Sequence, residues 1–105
     1  MCHVNEFESL ISEIRDFAER RDWGKFHSPK NLAIAVAGES GELVSEFQWL
    51  TELESRVENL DSEKLQAIKM EIADVAIYLF RLADVLGVDI PKVMREKIEI
   101  NETRF

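Results

Sequence analysis

From Ile72 to Leu86 the chain is apolar nearly all the way round a helix: Ile72, Ala73, Val75, Ala76, Ile77, Leu79, Phe80, Leu82, Ala83, Val85 and Leu86. A helix of this kind has no face to offer water, so the spacing predicts a central, buried element with others packed around it. Its polar residues, Glu71, Asp74, Tyr78 and Arg81, share a single arc of ~80° at 100° per residue. Two carboxylates one turn apart at the entry to such a segment need compensation, because a desolvated charge is costly unless paired.

A second stretch, Leu32 to Trp49, mirrors the first. It begins as an apolar helix and then places Glu39, Glu42 and Glu46 at i, i+3 and i+7, within ~60° of one another on one face. No Lys or Arg occurs from Asn31 to Glu54, so nothing close in sequence neutralises these acids. Like charges at this spacing repel by a few tenths of a kcal/mol in water and by far more when desolvated. An antiparallel hairpin of the two helices brings both acidic groups around a shared cation. Hard oxygen donors in this number suit Mg²⁺, or Mn²⁺, rather than zinc, which favours His and Cys. A di-iron bundle needs Glu-x-x-His, and neither His3 nor His27 stands three residues after a Glu.

The remaining elements are also helical. Phe7, Leu10, Ile11, Ile14, Phe17 and Ala18 form one stripe of an amphipathic helix from about Asn5 to Arg21. Asp22 to Lys30 breaks that pattern with Gly24 and Pro29, and gathers Trp23, Lys25, Phe26, His27 and Lys30 in a loop. The next helix is expected from about Pro29 to Leu50. Its Gly38 and Gly41, with Ile34 and Ser45, make a stripe opposite the carboxylates suited to close approach of another helix. Gly38-Glu39-Ser40-Gly41 is no nucleophile elbow, since the second glycine comes one position early and no strand precedes it. Thr51 to Leu60 is acidic and polar, either a fraying helical extension or a connecting loop; Asp61 or Ser62 caps the long apolar helix, and Gly87 ends it. Asp89 caps a last helix with Pro91 in its first turn, running to about Thr103. Nothing reads as a strand. The fold class is all-α, a four-to-five-helix bundle in one domain spanning 1–105.

At 105 residues the chain is near the small end for a self-sufficient core, so completion by homo-oligomerisation, as a homodimer or a dimer of dimers, is expected. A net charge of −8 argues against a nucleic-acid or anionic-membrane partner. The lone Cys2 allows no internal disulfide, the N-terminus lacks the pattern of a signal peptide, and no run reaches the ~18 apolar residues of a membrane span. These features place the chain in the cytoplasm.

The pattern E-x-x-E, a spacer, then E-x-x-D resembles the signature of the MazG-like all-α nucleoside-triphosphate pyrophosphohydrolases. It reads Glu39-x-x-Glu42 and Glu71-x-x-Asp74. The segments Arg21 to Leu32, Gly38 to Leu43, Phe47-Gln48-Trp49, Asp74 to Leu79 and Lys97 to Asn101 are similar to the dCTP pyrophosphatase branch of that group. The 51–61 connection is short for that branch, and relatives usually continue past the position of Phe105. The resemblance implies that Glu39, Glu42, Glu71 and Asp74 hold Mg²⁺ against a triphosphate that is cut between its α and β phosphorus. It implies base stacking by Trp23 and Trp49, a wall from Phe26, and Tyr78 near the sugar. His27 and Asn31 would meet the base edge or the phosphates, with Asn31 also a candidate helix cap. Lys97 and Asn101 would meet phosphate and sugar. Glu42 and Glu46 are the candidate general bases. Two other readings stay open: a non-catalytic helical oligomer whose acidic stripes solubilise it or bind a basic partner, and a related hydrolase of dUTP or a phosphoribosyl nucleotide.

Overall fold

The computed structural model describes residues 5–105. Cys2, His3 and the reading of the N-terminus as lacking a leader lie outside the described residues. Four helices follow one another: α1 (Glu6–Arg20), α2 (Pro29–Ser45), α3 (Ser62–Leu86) and α4 (Ile90–Arg104). Single 3₁₀ turns occur at Gly24–Phe26 and Val57–Asn59, and there is no strand among the described residues.

Each helix starts on a side chain that satisfies one of its free backbone donors. Asn5 Oδ1 accepts from the Glu8 N–H at 2.7 Å, and Ser28 Oγ from the Asn31 N–H at 3.1 Å. Asp61 Oδ1 accepts from Lys64 N–H at 2.7 Å, and Asp89 Oδ1 from Lys92 N–H at 3.1 Å. Pro29 and Pro91 occupy first-turn positions, where a missing N–H costs nothing. Gly87 ends α3 at φ 69°, the left-handed conformation in which glycine carries no Cβ penalty.

One boundary differs from expectation. α2 stops at Ser45, not Leu50. The Ser45 hydroxyl donates to the Gly41 carbonyl at 3.0 Å, a local bond that competes with the helical ladder. Beyond it the N–H groups of Glu46, Phe47 and Leu50 donate to carbonyls three residues back, so the chain tightens into turns. Glu46 is therefore the helix C-cap, and Trp49 sits in the turn that follows.

α2 and α3 form the main packing pair, antiparallel as expected. Glu46 meets Lys64, and His27, just before α2, meets Arg81. α1 lies across the far half of α3, with the Phe7 ring 4.8 Å from that of Phe80 and Arg15 paired to Asp84. Among the described residues Ala18, Leu32, Ile68 and Ala83 are the buried apolar residues.

α3 is central but not enclosed. Ile72, Ile77, Leu79, Val85 and Leu86 remain exposed, because among the described residues its main packing comes from α1 and α2. Among the described residues the Gly38/Gly41 stripe also meets no helix: a Cβ at either glycine would have open space, and Ile34 and Val44 beside them are 59% and 65% exposed. Among the described residues α4 makes no side-chain hydrogen bond or ion pair to the other helices, and its Val93, Met94, Ile98 and Ile100 face outward.

Candidate metal centre

The α2–α3 hairpin brings the two acidic groups together. One carboxylate oxygen from each of Glu39, Glu71 and Asp74 lies within 4.8 Å of the others. Glu39 and Glu71 are half-buried, while Asp74 is exposed at the rim. Glu71 is the innermost. Its Oε2 is closed off from solvent and has no hydrogen-bond partner. Burial pushes the Glu71 carboxyl above its ordinary value of 4.5, and the charges of Asp74, Glu39, Glu42 and Glu46 push it further. A solvated acidic stripe has no such orphaned oxygen. A buried acceptor on a carboxyl that converges with two others fits a divalent cation bound through oxygen, which would satisfy the open lone pairs and offset the repulsion.

Glu42 stands outside the group of three converging oxygens but close enough for its charge to act on Glu71. Glu46 is engaged elsewhere: its Oε1 accepts from Lys64 Nζ at 3.1 Å, in a partly buried ion pair. Lys64 was not singled out in the sequence, yet an antiparallel register points to it. Seven residues forward from Glu39 lies opposite seven residues back from Glu71.

The aromatic loop sits further along the same arc of α3. Trp23 and Tyr78 flank the His27 ring at 5.9 and 6.5 Å, and Phe17 meets Trp23 edge-on at 5.4 Å. Asn31 Nδ2 donates to the Phe26 carbonyl at 3.1 Å and so fastens the loop, while the cap role belongs to Ser28. Trp49 is 85% exposed, with no ring contact to another aromatic among the described residues. Phe26 is exposed under the Lys25 ammonium, 5.2 Å away. Lys97 and Asn101 lie on α4, whereas the cluster is built from α2 and α3, and among the described residues their side chains make no hydrogen bond to either helix.

The state of Glu71 has a measurable consequence. A carboxyl whose folded value is raised favours its neutral form, so its charging lowers stability as pH rises through the folded value, and the effect vanishes below the unfolded value. In chelator at neutral pH, Glu71→Gln should melt a few degrees above the wild type, with the gap closing as pH falls toward that of a free carboxyl. Adding a divalent cation should raise the wild-type melting temperature and leave the variant nearly unmoved. Differential scanning fluorimetry reads both, and equal cation responses would contradict a site at Glu71.

Comparison with known proteins identifies relatives of this chain. The MazG-like family model matches residues 34–105. The dCTP pyrophosphatase 1 of Homo sapiens is 39% identical over 93% of this chain and 60% of that protein, and that of Rattus norvegicus 37% identical over the same shares. The chain thus spans about three fifths of the length of these curated relatives. The crystal structure of a pyrophosphatase from Archaeoglobus fulgidus superposes with a TM-score of 0.90 at 35% identity, covering 100% of this chain and 96% of that one. The matched residues take in both acidic pairs and all of α3 and α4, and the chain belongs to the MazG-like family.

Proposed function

We propose that this chain is a magnesium-dependent nucleoside-triphosphate pyrophosphohydrolase that cuts a dCTP-like nucleotide to its monophosphate and pyrophosphate. The observation that carries the reading is a buried, unpartnered oxygen on Glu71, a residue whose carboxylate converges with those of Glu39 and Asp74. The names of the curated relatives support the substrate class. A triphosphate is strongly anionic and this chain carries a net charge of −8, so the two associate only through cations between them.

Glu39, Glu71 and Asp74 would hold the ion, with Glu42 beside them as the fourth acid. The ion, when bound, polarises phosphoryl oxygens and stabilises charge on the leaving pyrophosphate. Of the two candidate bases, Glu46 is tied to Lys64. Glu42 has no protein hydrogen bond among the described residues and is the better placed to take a proton from attacking water. Trp23, His27 and Tyr78 form the wall along which base and sugar would lie, and Trp49 offers a second stacking face. Phe26 extends that wall. Lys97 and Asn101 are the proposed phosphate and sugar contacts, which depend on α4 closing against the site.

Assembly supplies a reason for such closure. The chain exposes 8214 Å², against roughly 6,000 Å² for a folded monomer of its mass. Its radius of gyration is 16.6 Å, where about 13 Å is usual at this length. The excess area is on the scale of an obligate homodimer interface. We read the Gly38/Gly41 face of α2, the outer face of α3 and α4 as covered by further copies of the chain. No helix among the described residues is long and apolar enough to cross a membrane, and a nucleotide substrate suits a cytoplasmic protein.

A panel of nucleotides with Mg²⁺, followed by product identification, tests the reaction. Monophosphate and pyrophosphate should appear with dCTP or a close analogue; release of orthophosphate alone, or preference for dUTP or a phosphoribosyl nucleotide, would redirect the assignment. Glu39→Ala and Asp74→Ala should each lower kcat by more than about a hundredfold with unchanged helical circular dichroism, since even partners behind a metal ligand are worth 10–100-fold. Trp49→Ala should raise KM about 5- to 150-fold, the range of one base–aromatic stack; an unchanged KM removes Trp49 from the pocket. Light scattering should give at least twice the 12.2 kDa chain mass, and a monomer at micromolar concentration would refute the assembled state.

A further inference from the structure

Away from the carboxylates, α3 carries one buried charge that the proposed reaction does not use. Arg81 is 9% exposed. Its Nε–H donates to His27 Nδ1 at 3.3 Å, and its Nη1 to Asp84 Oδ2 at 3.5 Å. Asp84 is itself gripped by Arg15 from α1, with Nε to Oδ2 at 2.8 Å and Nη2 to Oδ1 at 2.7 Å. Those bonds hold the Asp84 carboxyl below its ordinary range even though burial pushes it up. The chain of contacts runs Arg15, Asp84, Arg81, His27, and joins α1 and α3 to the aromatic loop.

The chemistry of the last link is constrained. A guanidinium only donates and does not lose its proton in a protein. The imidazole nitrogen facing it must therefore be bare, and in a neutral ring the proton then sits on the other nitrogen, Nε2. Burial, and after it the Arg81 charge, push the His27 imidazole below its ordinary 6.5, which keeps the ring neutral. His27 also lies between Trp23 and Tyr78, and Tyr78 is one turn along α3 from Asp74, about 6 Å on the helix axis.

We propose that Arg81 is a positioning residue for the nucleotide site: it fixes His27 as the Nε2-protonated tautomer, so that the loop presents a hydrogen-bond donor to the bound nucleotide. The proposal rests on the nucleotide reading given above for what His27 meets, but the tautomer itself does not. Arg15 and Asp84 serve the same end by holding Arg81 in place.

The test uses the full chain in two arms. In protein labelled with ¹⁵N-histidine and free of nucleotide, long-range ¹H–¹⁵N correlations identify the protonated nitrogen, with His27→Gln assigning the signals. The wild type should show Nε2–H, and Arg81→Met should shift the ring toward a mixture of tautomers. A wild-type ring protonated on Nδ1, or a spectrum unmoved by Arg81→Met, overturns the assignment. The wild-type spectrum alone decides the tautomer if the variant does not fold. In the kinetic arm, Arg81→Met should raise KM about tenfold, the scale of one lost hydrogen bond, with a smaller change in kcat. Placed on His27→Gln, it should add nothing. An equal loss of kcat, or a full additive effect on His27→Gln, would make Arg81 a merely structural residue. If no nucleotide is bound or hydrolysed, the proposed function fails on its own, and the substrate-free spectrum still decides the Arg81–His27 link.

Discussion

Carboxylates crowd together at the centre of the α2–α3 hairpin, and the helices pack in spite of it. Glu39, Glu71 and Asp74 approach within 4.8 Å, and Glu71 turns an oxygen inward with nothing to bond. Repulsion between like charges and the desolvation of Glu71 both oppose the packing of Leu32 and Ile68, which bury apolar surface in the same hairpin. The free chain thus holds a cluster that is unfavourable by itself and that the proposed cation would make favourable. Binding residues that reduce stability in the empty state are a common cost of function. Lys64 moderates the cost at one end by pairing with Glu46, which leaves the cluster proper to four acids.

Around that hairpin the single chain leaves much undone. α3 is apolar on nearly every side, yet among the described residues its main cover is α1 and α2. The exposed Ile34 and Val44 on the back of α2, and the outward Val93, Met94 and Ile98 of α4, belong to the same shortage of covering surface. A small domain with an all-round apolar helix meets this shortage most simply by using copies of itself. Such an arrangement would couple catalysis to assembly, because α4 carries both unpaired apolar surface and the proposed contacts Lys97 and Asn101.

The aromatic loop is held from three directions. Its own backbone is tied by Asn31 to Phe26, its Trp23 is set against Phe17 of α1, and its His27 is bound to Arg81 of α3. Buried Arg81 shares one carboxylate with Arg15, so a single acid faces two guanidinium charges, and His27 only accepts a hydrogen bond from Arg81. This is a costly arrangement for stability alone, and it is placed beside the site.

Local chemistry is what the sequence by itself determined: the helical periods, the cap at Asp89 and the choice of Asp61 or Ser62 for α3, the stop at Gly87, and the placing of Glu39 with Glu42 and of Glu71 with Asp74 on shared faces. These depend on residues within one or two turns of each other, so spacing alone reveals them. The early end of α2 escaped that reading because Ser45 bonds back to Gly41, a choice between two local hydrogen-bond patterns that propensity does not resolve. Tertiary structure alone decided the partners across elements: Lys64 on Glu46, Arg81 on His27, Arg15 on Asp84, and the depth that leaves Glu71 without a partner. Such pairings depend on the register and depth of helix packing, and a shift of a single turn, about 5.4 Å, would have joined different residues.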